Sequence, residues 1–408
     1  MSRDVASHGP SRWDAREQAE PSRSVCFRDA ASRSAYAPGR VKRLGPSFTF
    51  QQQSTRHPGL DGARGLAVLA MVLGHTLDAL LSPEARLHPW VQHYWAFRGV
   101  TAPLFLLVSG WAVVAALGSK PTSARDTLGR RVRRSLLLLF LGYLLHWPGW
   151  HAVRDMGWTD AMLSRVFAFD ALQCIGFALL IGSVLLALVP ARGGRPLVLM
   201  ALAVGVPVAS AAMWKLGGGL PSPVQQFLGS AEGSRFPFFP WAGFFFAGAF
   251  AASLLNVLRP GLPQGFSLLA VGAGLLALTQ LLLVPDWGPA SAWMVAYRVG
   301  QGLLVLGVVT LAPTRLSGLL APLGRLSLWI YVLHLPVVYG WADIAGLASR
   351  VGPTLGAPAA LGVATALLGV CAVVAKVGRW VTDQARPWRA GSTTLNASIG
   401  GTRMSPRA

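Results

Sequence analysis

Ten apolar stretches of about 18–22 residues recur between residues 58 and 380, each long enough to cross a hydrocarbon core of roughly 30 Å as a helix. They fall near 60–81, 98–118, 133–150, 168–190, 195–214, 237–257, 266–285, 292–312, 324–343 and 357–378, with polar, Gly- and Pro-rich segments between them. In lipid the backbone must satisfy its own hydrogen bonds, so runs of this length predict helices. The expected fold is an all-α integral membrane protein, a single bundle of about ten transmembrane helices.

The pattern fails at both ends. Residues 1–57 carry ten Lys/Arg and five Asp/Glu, are rich in Ser, Arg and Pro, and show no period able to bury a core. Residues 381–408 read the same way, so two disordered basic tails are expected around a transmembrane domain at 58–380. No apolar run lies close to Met1, which argues against a cleaved secretory signal.

Composition narrows the class. Of 408 residues, 53% are hydrophobic and only 13% charged, against about a quarter charged in soluble domains, which excludes a soluble enzyme. The formal net charge of +20 hints at nucleic acid, but its distribution does not support that partner. Most Lys and Arg lie in the tails and in alternate loops, including Lys120, Arg125, Arg192, Arg195, Arg259, Arg315 and Arg325. Under the positive-inside rule this places both termini in the cytoplasm, and the bilayer, not nucleic acid, is the partner of that charge. Cys26, Cys174 and Cys371 are far apart with no CxxC, so no metal site is expected. Trp90, Trp95, Trp147, Trp150, Trp158, Trp241, Trp287 and Trp293 cluster at the outer ends of the spans. They fit an interfacial aromatic belt, a stacking surface for a sugar ring, or both.

The first span carries Asp61, Arg64, His75 and Asp78. At about 100° per residue, the eleven steps from Arg64 to His75 return to within some 20° of the same helix face, and the two aspartates lie close to that line. Charge inside a membrane helix is costly, so a shared polar face marks a functional site. Asp78, one turn beyond His75, is placed to orient the imidazole and leave its other nitrogen as a base.

The string Leu60-Asp61-Gly62-Ala63-Arg64-Gly65 followed by His75 resembles the opening of the membrane-bound acyltransferases. Arg64-x10-His75 is similar to the Arg-x10-His pattern of acyltransferase family 3. Pro103 to Gly110, Leu172 to Gly176, Phe236 to Trp241 and Leu323 to His334 resemble bacterial relatives of the heparan-alpha-glucosaminide N-acetyltransferase. The resemblance covers roughly residues 56–380. It implies transfer of an acyl group, most simply acetyl, from cytoplasmic acetyl-CoA or another acyl-CoA to an extracytoplasmic glycan or other polar acceptor. The setting it implies is a bacterial cytoplasmic membrane. The heparan-type enzyme places its catalytic His in the loop after the first span; here that loop holds His88 and His93, and His75 is the preferred base. A covalent acyl-histidine stays open.

The residues suit such a reaction. Arg130, Arg131, Arg133 and Arg134 make two overlapping Arg-x-x-Arg pairs, which with Arg64 are expected to hold the donor's phosphates. His146, Asp170, Gln173, Trp241 and Arg298 are expected to line an outer site for the acceptor, Arg298 either on substrate or paired with Asp170. His334 is expected to make a structural hydrogen bond. The rival reading is a transporter or proton-coupled permease using Asp61, Arg64, His75 and Asp78 as a relay, although no internal repeat supports it.

Overall fold

A computed structural model describes residues 58–116, 124–189, 193–229, 234–258, 260–282 and 287–384. The expected N-terminal tail, most of the C-terminal one, and Lys120, Arg192 and Arg259 lie outside the described residues.

Helix α1 (Pro58–Leu80) opens on Pro58 and carries Asp61 in its first turn, where a carboxylate favours the helix dipole. The short α2 (Pro83–Arg86) is capped by Ser82, whose hydroxyl accepts from Ala85 N. Helices α3 (Pro89–Arg98) and α4 (Thr101–Ala115) run on as one 27-residue span. Helix α5 (Ala124–Leu145) breaks by 66° into α6 (Trp150–Met156), and α7 (Asp160–Val166) follows behind its Thr159 cap. A reciprocal capping box of Asp170 and Gln173 starts α8 (Ala171–Leu188).

Four long helices continue the bundle: α9 (Gly194–Gly217), then, after the short α10 (Ser222–Leu228), α11 (Phe238–Leu255), α12 (Leu262–Leu281) and α13 (Ala292–Leu311). Helix α14 (Thr314–Arg325) turns by 64° into α15 (Ser327–Tyr339). A two-stranded hairpin, β1 (Gly340–Trp341) and β2 (Ile344–Ala345), follows, with Gly340 facing Ala345 across the register. It leads through α16 (Leu347–Arg350) to α17 (Ala357–Gln384), which stays helical past residue 380, where the sequence suggested a tail.

Among the described residues eight helices are long and apolar enough to cross a membrane, ten if each bent pair is one span. Large apolar side chains such as Leu136, Phe140, Leu188, Val208, Leu281 and Val373 are exposed on long helices, as a lipid-facing perimeter requires. The chain is therefore an all-α multi-pass membrane protein. The short helices α2, α3, α6, α7 and α10 and the hairpin are what span-length reading passes over, because none is a long apolar run.

Helix α1 is central, packing against α4, α13, α14, α15 and α17. Its approach to α14 is backbone-close: a Cβ on Gly65 would overlap the Leu320 carbonyl, and one on Gly324 would overlap that of Asp61. Helices α4 and α11 interlock likewise, Gly110 against the Phe245 carbonyl and Gly248 against that of Leu107.

Candidate active site

Two cavities enter the bundle from opposite ends of α15. The near cavity, at the end where α1 begins, has a volume of about 960 Å³. Asp61, Arg64, Arg134, Arg325, Arg379 and Asp383 supply its charge, and Ser327, Leu328, Trp329 and Leu333 of α15 form part of its wall. The far cavity, about 890 Å³, is bounded by His146, Arg165, Asp170, Gln225, Arg235 and, from the other end of α15, Leu335, Pro336 and Tyr339. Between the stretches of α15 that face the two cavities lies His334.

His75 meets α15 at that dividing layer. Its Nδ1 lies 2.9 Å from the Tyr339 hydroxyl, and its ring centroid is 5.4 Å from that of His334. The Arg235 guanidinium, at the far cavity, stands over the other side of this phenol, its carbon 5.7 Å from the Tyr339 ring centroid. His334 is fully buried; its Nδ1 donates to the Ile330 carbonyl at 2.9 Å, the i−4 bond a helical histidine reaches without strain. That bond leaves the ring's lone pair on Nε2, which has no hydrogen-bond partner. Beside it, buried Tyr331 stacks on Phe105 and meets the His334 ring edge-on at 5.7 Å between centroids. At the far cavity Asp170 accepts from Ala171 N at 2.8 Å and faces His146 Nε2 at 3.9 Å.

The residues singled out from sequence divide accordingly. The polar stripe of α1 splits among separate partners and forms no continuous relay among the described residues. Asp61 and Arg64 stand 4.0 Å apart on the near cavity, and His75 turns to Tyr339. Asp78 does not bond His75: it pairs with Arg98 at 2.7 Å, and its carbonyl accepts from Arg86 at 2.5 Å. The lengthening of the second span through α3 brings Arg98 to that spot, where it also lies over the Trp95 ring.

Of the four arginines opening α5, Arg134 borders the near cavity and Arg131 donates to the Val113 carbonyl at 2.9 Å. Arg130 reaches Thr127 of its own helix, and Arg133 is exposed. His146 and Asp170 border the far cavity. Gln173 is buried, and its amide is used in capping and on the Ala168 carbonyl. Trp241 packs edge-on to Phe236 at 4.6 Å and borders neither cavity. Arg298 lies against Gly99 and donates to Gln301 at 2.9 Å, away from Asp170. The loop histidines His88 and His93 are exposed, His93 bonded to the Pro89 carbonyl at 2.7 Å.

Three members of the site escaped sequence reasoning. Arg235 looked like ordinary loop charge, Tyr331 like part of a packing motif, and Tyr339 is 264 residues from His75. The available signal was a second tyrosine after the Tyr331-Val332-Leu333-His334 string, a polar group at the end of an apolar span.

A multi-pass helical protein with a histidine between two opposed cavities, one of them rich in arginine, has the layout of a membrane transferase. The chain belongs to acyltransferase family 3: the family's acyltransferase domain matches residues 57–375. No match is found among curated proteins.

Proposed function

We propose that the protein moves an acyl group, most simply acetyl, from cytoplasmic acyl-CoA to a hydroxyl or amine of a glycan or similar polar acceptor outside a bacterial cytoplasmic membrane. The observation that carries this reading is the position of His75, in the layer between two cavities of unlike chemistry. The near cavity suits the donor: Arg64, Arg134, Arg325 and Arg379 offer charge-assisted contacts to several phosphates. From Arg64 to His75 the helix rises about 16 Å, a span an extended pantetheine arm can bridge to bring its thioester to the imidazole. The far cavity, with His146, Asp170, Arg235 and Gln225, offers both donors and acceptors to a polar substrate. Motif likeness to heparan-type relatives supports a sugar there.

Catalysis then needs His75 as general base. With Nδ1–H donated to the Tyr339 oxygen, Nε2 keeps its lone pair and takes the acceptor's proton as its oxygen or nitrogen attacks the thioester carbonyl. Tyr339 holds the tautomer, the part the sequence assigned to Asp78. The positive-inside distribution makes the near face cytoplasmic.

Inverted membrane vesicles incubated with radiolabelled acetyl-CoA should place label on a lumenal product. A His75→Ala variant of equal abundance should bind acetyl-CoA but transfer none. Undiminished transfer by that variant would remove His75 from the chemistry.

A further inference from the structure

Resting on that reading, we infer that His334 is a second proton-carrying residue, which takes the acceptor's proton from His75 and delivers it to the donor side, so that turnover carries no net charge across the membrane. Acyl transfer between faces creates an imbalance. The acceptor loses a proton on the far side, while the departing thiolate needs one on the near side. If the proton left through the far cavity, every turnover would separate charge against an inside-negative potential.

The geometry favours the opposite exit. His334 has no freedom of tautomer: its Nδ1–H is committed to the Ile330 carbonyl, so Nε2 can only accept. That nitrogen is buried and unpartnered, a costly arrangement unless something visits it. The nearest ring is that of His75, at 5.4 Å between centroids, within reach of one hydrogen bond or one bridging water. The far-side groups in direct contact with the two rings are poor exits. Tyr339 lies under Arg235, whose guanidinium carbon is 5.7 Å from its ring centroid, a fixed cation that opposes an arriving proton. Tyr331, whose ring meets His334 edge-on, is no better, since a phenol oxygen is too weak a base to be protonated. On the near side Leu333, the neighbour of His334, borders the arginine-rich cavity, where donor phosphates offset the guanidinium charge and from which the donor's arm holds the new thiolate at the histidine pair.

The step balances. For a hydroxyl acceptor the O–H bond breaks, an O–C bond forms to the acyl carbon, and the C–S bond breaks with its electron pair passing to sulfur. The proton moves from oxygen to His75 Nε2, then to His334 Nε2, then to the thiolate, leaving both imidazoles neutral.

Inverted vesicles with a trapped lumenal pH dye, supplied with radiolabelled acetyl-CoA, test this whichever acceptor the membrane supplies. Wild type should transfer acetyl with no matching lumenal acidification, at a rate indifferent to a potassium diffusion potential set with valinomycin. For an amine acceptor, which begins as an ammonium, all lumenal proton counts rise by one. His334→Gln, at equal abundance and with unchanged acetyl-CoA binding, should slow transfer about 100-fold. Its residual turnover should acidify the lumen and respond to the potential. One lumenal proton per acetyl ester formed by wild type overturns the inference, as does a His334→Gln variant with wild-type rate and proton count. If that variant fails to fold, the wild-type proton count still decides. Absence of any labelled wild-type product overturns the acyl-transfer reading itself, and the relay with it.

Discussion

Tyr339 supports the proposed base through a single atom. The contact of 2.9 Å to His75 Nδ1 gains strength once the imidazole is charged, and a hydrogen bond to a charged group contributes about 1.5–3 kcal/mol. Tyr339→Phe should therefore lower kcat roughly 10- to 100-fold with the KM for acetyl-CoA unchanged, as measured by initial rates in vesicles. Asp78 provides a contrast. Its pair with Arg98 is over a third exposed on both sides, and such pairs stabilise by less than ~1 kcal/mol. Asp78→Asn should keep most transfer activity and lower the thermal midpoint only slightly; a loss comparable to that of Tyr339→Phe would return Asp78 to the chemistry. Sequence spacing put Asp78 on the right face of α1 but gave no view of Arg98, twenty residues away on another element. The Arg64–His75 register was legible because one helix fixes it. The His75–Tyr339 contact was not, because it depends on how two distant helices meet.

At the level of elements, the spans follow from the length of apolar runs, and α1 and α13 begin and end within about two residues of where the sequence places them. The bends did not follow. The 64° break between α14 and α15 falls at Arg325 and Leu326, where the ninth apolar run begins, but the sequence reads α14 as a loop and does not show that it packs as a helix against α1. What fixes it is contact, since α14 lies against α1 at a separation only glycine permits. Gly65→Val and Gly324→Val should each destabilise by at least about 1–3 kcal/mol, because backbone atoms cannot yield as a side chain can. Gly318→Ala, in the same helix with open space at its Cβ, should be neutral or slightly stabilising. Thermal unfolding in detergent separates the two outcomes.

Across the whole molecule, charge placed at one end of the bundle becomes a cavity only where helices from distant parts of the chain converge. The two Arg-x-x-Arg pairs of α5 look equivalent in sequence, yet Arg134 borders the near cavity and Arg133 does not. Arg134→Ala should weaken acetyl-CoA binding about 10-fold, through loss of a charge-assisted contact, while Arg133→Ala should stay within about twofold. Equilibrium binding at low and moderate salt checks both, and equal effects would mean that the donor lies outside the cavity. The function class was legible from motifs; the membership of each cavity was not, since Arg379 and Asp383 are separated from Arg64 by most of the chain.

Helix α17 has a consequence for biosynthesis. Its final turns supply Gly378, Arg379, Thr382 and Asp383 to the near cavity, and it packs directly on α1. The first of the described helices to leave the ribosome is thus completed by the last. A nascent chain stalled before α17 would hold His75 and Arg64 in the membrane yet lack one wall of the cavity beside them. The cavity therefore gains its last wall only at the end of insertion, and half-made copies hold no finished chamber.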